Sequence, residues 1–314
     1  MMKPFNRLLT PETKQKWQKR WLGKTLTDGW LFKVIIYLLL ISFSYIYLYP
    51  LLFMLINSVK SVDDLINPGV RWIPTVLMWE NYVRAFEVLN LPNSFFDSTI
   101  YVLKVSVSAT LSSALIGYGF ARFDFPLKRL FFVIMLATFI LPQQVTMVAN
   151  VLIFRQLDII STEWTMILPA ISGQGINAAI YILIFYTFYR TIPGILIESA
   201  EVDGAKQFTI FTKIVLPLAI PSFVIVFLFS FVWYWNESFI TGLYVGDKAT
   251  LPLWLQAFRA SYESIFPPGT PGAELNEAIL LAGNMLTILP LLLLYFFSQK
   301  LFTQSIDKTG ITGE

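Results

Sequence analysis

The chain has no cysteine and no histidine among its 314 residues, and only 14% of them are charged. Without thiols there is no disulfide framework and no thiolate nucleophile. Without imidazole there is neither the commonest general base nor the commonest transition-metal ligand. Few kinds of enzyme survive that filter, and no metal site is expected. Soluble domains carry roughly a quarter of their residues as Asp, Glu, Lys and Arg, whereas 56% of this chain is hydrophobic. Such a composition belongs in a membrane. The net charge of +3 is spread beside apolar runs rather than gathered in a patch or stripe, which argues against a nucleic-acid partner.

What is present is a series of long apolar stretches. A helix needs about 20 mainly apolar residues to cross the hydrocarbon core. Six segments meet that length, at roughly 34 to 56, 98 to 121, 130 to 153, 164 to 188, 214 to 236 and 275 to 298. The first is too long for the core of a cleavable leader and is expected to stay as a span. Six spans place both termini on one side. If that side is inside, sixteen of the 23 Lys and Arg residues fall in inner segments and six in outer loops, with Lys104 inside a span. Positive charge disfavours translocation, so both termini are expected in the cytoplasm. The expected fold is all-α and polytopic: a basic tail over 1–33, a first span with its outer loop over 34–93, a transmembrane domain over 94–298 and a tail over 299–314.

Several local expectations follow. Lys104 lies about two turns below the outer end of its span, so its ammonium is expected to snorkel toward the headgroups. The second span is rich in small residues, from Ser106 and Ala109 to Gly117 and Gly119, and reads as a close-packing helix. Residues Leu251 to Phe258 of the last outer loop read either as a short helix on the membrane surface or as a tether at the interface. The tail, with Trp17, Trp21 and Trp30, reads as an anchor on anionic lipid. Gly23-Lys24-Thr25 matches the end of a phosphate loop, but Gln18 stands where the leading glycine is required, so ATP hydrolysis is not expected on this chain.

The most informative stretch follows the fourth span. Arg190 closes it and Pro193-Gly194 breaks the helix. A second helix is expected to follow, with Glu198, Glu201 and Asp203 toward its positive front end and Ile195, Leu196, Ala200 and Val202 as contact surface. Gly204 permits a sharp reversal, and Ala205 leaves room beside it. Phe208, Ile210, Phe211 and Ile214 then return apolar surface to the bundle before Leu216-Pro217 opens the fifth span. The expected shape is a helical hairpin that leaves the membrane and returns.

Polar side chains deep in spans usually face the interior of a bundle. The candidates for a solute path are Gln143, Gln144 and Asn150 in the third span, Gln174 and Asn177 in the fourth, Asn236 and Glu237 in the fifth, and Asn284 in the sixth. Gln174 and Asn177 stand out because Gly173 and Gly175 loosen the helix where a pathway needs exposed backbone. Trp233, Tyr234 and Trp235 adjoin Asn236 and Glu237, and amides with aromatic faces suit a glycan. The competing explanation for each residue is hydrogen bonding between helices.

The hairpin resembles a known family. Glu198, Ala200, Asp203, Gly204, Ala205, Ile214, Leu216 and Pro217 stand in the register of the Glu-Ala-Ala motif of binding-protein-dependent ABC importer permeases, with Ser199 where Ala is usual. Gly-Tyr-Gly-Phe-Ala-Arg-Phe-Asp-Phe-Pro from Gly117 to Pro126, Leu141-Pro142, and Gln-Lys-Leu-Phe-Thr-Gln-Ser-Ile from Gln299 to Ile306 look like the maltose-type sugar permeases in their six-span subunit. The resemblance covers most of the chain. It implies the ABC transmembrane type-1 fold in a bacterial inner membrane, a heterodimer with a second permease, two ATPase subunits and an extracytoplasmic solute-binding protein. It also implies no cofactor on this chain, ATP and Mg residing on the ATPase, with the segment around Gly204 as the docking element. A sugar or oligosaccharide would be imported by alternating access. A non-sugar solute is the alternative, since other importers share the docking motif. An ion-coupled secondary transporter is a further one, but the paired broken helices and intramembrane acids of that class are not evident.

Overall fold

The computed structural model describes residue 21 and residues 29–246, 249–269 and 274–309, with side chains placed as far as residue 301. The basic tail before residue 21 and its Trp17, the Gly-Lys-Thr segment, Lys248 and the last five residues lie outside the described residues. Every regular element among the described residues is a helix.

The chain divides into two compact units, residues 1–78 and 79–314. The first contains α1 (Trp30–Asn57) and α2 (Val62–Ile66). α1 is apolar on all sides and long enough to span a membrane. The segment after it is shaped by local polar bonds. Asp64 accepts from the Thr75 amide at 2.8 Å and its hydroxyl at 2.7 Å, and Lys60 donates to the Val70 and Arg71 carbonyls at 2.8 and 3.0 Å. The Thr75 bonds hold the Asp64 carboxyl below the usual carboxylate range.

The second unit runs through α3 (Glu80–Val88), α4 (Leu91–Arg122), α5 (Lys128–Ile140), α6 (Gln143–Gln156), α7 (Trp164–Ile171), α8 (Ala178–Thr191), α9 (Gly194–Val202), α10 (Gln207–Leu218), α11 (Ile220–Asn236), α12 (Phe239–Tyr244), α13 (Leu251–Gln256), α14 (Phe258–Ile265) and α15 (Glu277–Thr309). The six apolar stretches are all there, but only α1, α4 and α15 are straight enough to cross by themselves. The third stretch is α5 and α6, bent by 100°. Leu141 is extended (φ −73°, ψ 121°) because the ring of Pro142 drives the residue before it out of the helical region. The fourth is interrupted between α7 and α8 by a turn with two left-handed residues, Gly173 (φ +73°) and Asn177 (φ +58°). The fifth bends by 74° at Ala219, between Pro217 and Pro221.

α4 is the central element, packed against α7, α8, α11 and α13. The expectation of close packing is met by its buried small residues, Ser98, Ser106, Ala109, Ser113 and Ala114. A Cβ on Gly117 would lie 2.7 Å from the Phe185 Cβ and 3.0 Å from the Ile182 carbonyl oxygen, so α4 and α8 touch at backbone distance there. The Ser112 hydroxyl donates to the Ala170 carbonyl on α7 at 2.5 Å.

One expectation is extended and one is corrected. The Lys104 ammonium, at the end of its stem, pairs with the Glu163 carboxylate at 2.6 Å in the turn before α7. The 251–258 segment is not a surface helix. Leu251, Leu253 and Phe258 are buried, and the Leu251 amide donates to the Ser98 hydroxyl of α4 at 2.6 Å, so tertiary packing overrides what its composition favours.

The Gly117 contact generates a paired prediction. Gly117→Val is expected to lower stability by about 1–3 kcal/mol through overpacking. Gly119→Ala, where a Cβ meets nothing within 4 Å, is expected to be neutral. Thermal unfolding in detergent reads both.

Candidate functional site

Two places in the second unit concentrate the candidate residues. The first is the hairpin after α8. Ile192 and Pro193 are extended, and α8 and α9 meet at 72°. α9 ends at Asp203, whose amide donates to the Ser199 carbonyl at 3.0 Å, and Gly204 turns the chain at φ +81°. The Ala205 amide donates back to the Ala200 carbonyl at 2.9 Å, and the Gln207 side chain donates to Glu201 at 2.7 Å, tying the two arms together. α10 follows, with a π-helical stretch over Phe211–Val215.

The motif residues separate into two sets. Ala200, Ala205, Ile214 and Leu216 are partly buried against the core, whereas Glu198, Ser199, Asp203, Gly204 and Pro217 are exposed. Two details of the expected hairpin are corrected. The first turn of α9 has no acidic residue. Glu198 is mid-helix, Glu201 lies in the last turn and Asp203 is the C-cap, because the helix already begins at Gly194, so the favourable dipole position is not used. Phe208 does not return to the bundle: it is 76% exposed and Val202 88%, whereas Ile210, Phe211 and Val215 are buried. The tip therefore presents exposed apolar groups and carboxylates together.

The base of the hairpin is held by a residue that the sequence reading counted only as a topological charge. The Arg122 guanidinium, at the end of α4, donates to the Tyr189 and Ile192 carbonyls at 2.6 and 2.9 Å, closing the C-terminal end of α8. The Tyr118 ring sits 4.7 Å from Phe211 and 5.6 Å from Tyr189, so α4, α8 and α10 meet through aromatic contact. The available signal was an arginine ending an apolar helix in the same stretch as Gly117 and Tyr118.

The second place is a cavity of about 540 Å³. It is lined by the end of α5, by α6, by α7 and the turn after it, by the start of α8, by the C-terminal end of α11 and by α12. Gln143, Gln144, Asn150, Gln174, Asn177 and Glu237 all line it, together with Trp233 and Tyr234. Asn236 and Asn284 do not: Asn236 is exposed and donates to the Val232 carbonyl at 2.8 Å, and Asn284 is a half-buried residue of α15. Among the described residues, the side-chain amides of Gln143, Gln144 and Gln174 have no hydrogen-bond partner, and all three line the cavity. Glu237 is committed elsewhere. Its carboxylate accepts from the Ile240 and Thr241 amides at 2.8 and 2.7 Å and from the Thr241 hydroxyl at 2.8 Å, capping α12.

With this geometry in view, the comparisons with known proteins are consistent. Residues 113–308 match the family described as binding-protein-dependent transport system inner membrane component. That is more than half of the chain, which belongs to this family. Among curated relatives, the arabinooligosaccharides transport system permease protein AraQ of Halalkalibacterium halodurans is 28% identical over 89% of this chain and 98% of its own length. The polygalacturonan/rhamnogalacturonan transport system permease protein YtcP of Bacillus subtilis is 29% identical over 90% and 99%. The diacetylchitobiose uptake system permease protein NgcG of Streptomyces coelicolor is 27% identical over 88% of each chain. A crystal structure of a bacterial ABC transporter involved in the import of the acidic polysaccharide alginate contains a chain with a TM-score of 0.64, 19% identity, and coverage of 86% of this chain and 96% of that one. At that identity the likeness shows the shared fold. The chain is a membrane transport component rather than an enzyme.

Glu237→Ala is expected to cost about 1–2 kcal/mol through the lost cap of α12, and Arg122→Leu about 2 kcal/mol through the lost charged bonds to the end of α8. Thermal unfolding of the purified protein reads both, and faster trypsin cleavage at Lys206 is expected only for the Arg122 variant.

Proposed function

We propose that this chain forms part of the translocation path of an ATP-driven, binding-protein-dependent importer and carries a sugar or oligosaccharide by alternating access. The observation that carries the cargo assignment is the cavity. Three amides without hydrogen-bond partners among the described residues, at the depth of a broken helix and in the same cavity lining as the Trp233 ring, form a wall that hydrogen-bonds a polyhydroxylated solute and stacks on it. The relatives named for arabinooligosaccharides, diacetylchitobiose and polygalacturonan/rhamnogalacturonan support a glycan.

The hairpin is read as the element that docks on the ATPase. In support, its exposed tip combines Val202 and Phe208 with Glu198, Glu201 and Asp203, while Ala200, Ala205, Ile214 and Leu216 root it in the core. Its two ends continue directly into α8 and α11, so a push on the tip is delivered to helices that line the cavity. In this reading the hairpin and both termini face the cytoplasm, as the distribution of Lys and Arg favours. ATP and Mg are bound by two separate ATPase subunits, a second permease completes the pathway, and an extracytoplasmic binding protein delivers the cargo.

Val202→Asp and Phe208→Asp test the docking assignment, because both side chains are exposed at the tip of the hairpin. Both variants are expected to reach the membrane in normal amount and to lose at least about tenfold in binding-protein-stimulated ATP hydrolysis, the effect of about 1.4 kcal/mol at an interface. Co-purification of the ATPase subunit is expected to fall in parallel. Unaltered hydrolysis and transport in both would refute the assignment.

A further inference from the structure

Tyr234 is completely buried near the outer end of α11. Its hydroxyl accepts the Ile176 amide N–H at 3.0 Å, although the two residues are 58 positions apart. Ile176 lies in the turn that interrupts the fourth apolar stretch. That turn is otherwise closed by its own bonds, from the Gln174 amide to the Pro169 carbonyl at 2.8 Å and from the Ala178 amide to the Gly175 carbonyl at 3.1 Å. The neighbouring residue makes room for the phenol: a Cβ on Gly175 would lie 2.8 Å from the Tyr234 hydroxyl and 3.0 Å from the Ala170 Cα. Only a residue without a side chain permits this approach.

The consequence is mechanical. An amide left unpaired among apolar helices is costly, so the hydroxyl holds the turn in its present path. The turn carries Gln174 and Asn177 into the cavity. α11, which carries Tyr234, continues from α10 through the bend at Ala219, so its far end belongs to the hairpin. One hydrogen bond therefore joins the helix leading from the hairpin to the peptide segment that lines the cavity.

We propose that Tyr234 is a positioning residue for solute passage: it sets where the Gln174 and Asn177 amides stand and makes the turn follow α11 when the hairpin moves. This rests on the permease reading above for the source of the motion, though not for the positioning itself.

The chain has no cysteine, so Gln174→Cys supplies a single reporter thiol in it. The assay labels that thiol with a polar maleimide in membranes containing the whole importer, with and without Tyr234→Phe, at rest and after trapping with ATP and orthovanadate. Tyr234→Phe keeps the ring and its packing and deletes only the acceptor. It is expected to change the resting labelling rate by about fivefold, the factor that one lost buried hydrogen bond is worth, and to abolish the difference between resting and trapped states. Gly175→Ala, which displaces the hydroxyl instead of removing it, is expected to have the same effect and serves if the first variant accumulates poorly. A merely structural role would reduce the amount of chain and leave the labelling of what remains unchanged. Identical rates and an intact response to trapping in both variants would overturn the proposal. Failure of the permease reading has a separate signature: no vanadate-sensitive hydrolysis and no response to trapping in the parent, while the resting rates still judge the positioning.

Discussion

Inside a bilayer the backbone has no water to bond to, so each break in a helix has to be closed by some other part of the protein. That constraint explains the polar contacts of the second unit better than any stability argument. The Ile176 amide is met by Tyr234, the last carbonyls of α8 by Arg122, the first amides of α12 by Glu237, and the Leu251 amide by Ser98. In three of these four cases the partner comes from a different helix. Broken helices therefore do not loosen the bundle; they are the points at which its elements are tied to one another.

The same ties join the hairpin to the cavity. α8, about 21 Å long at 1.5 Å per residue, begins at the turn beside the cavity and ends at the Arg122 clamp. α11, about 26 Å long by the same rise, begins after the hairpin and ends at the cavity wall. Two rods thus connect the same two places, and they touch α4 along its buried small residues. The hairpin is fastened at its base by the Tyr118, Tyr189 and Phe211 rings and free at its tip. That division sorts the motif: Ala200, Ala205, Ile214 and Leu216 root it, whereas Glu198, Ser199, Asp203, Gly204 and Pro217 are exposed.

The sequence was legible wherever a property depends on near neighbours in the chain. Six apolar stretches, the break at Pro193-Gly194 and the reversal at Gly204 could be placed because span length, proline geometry and a residue tolerant of positive φ are local facts. The loosening between Gly173 and Asn177 was anticipated for the same reason. Reading failed where a side chain's partner is distant. The partner of Lys104 is not legible because Glu163 is 59 residues away. Residues 251–258 were assigned to the surface because a buried amphipathic segment and an interfacial one share the same composition.

What the amino-acid sequence determined by itself is the solvent: too little charge and too much contiguous apolar surface for water, hence helices that cross a membrane, with a hairpin marked by Pro193-Gly194 and Gly204. What only the tertiary structure decided is which polar groups are spent on holding the fold and which stay open to a solute. Glu237 and Gln174 look equally available in sequence. The carboxylate of the first accepts three bonds from the start of α12, and the side chain of the second has no hydrogen-bond partner among the described residues. Hydrogen bonding is satisfied by whatever lies within 3 Å or so, and in a bundle of bent helices that neighbour is set by packing and not by order along the chain.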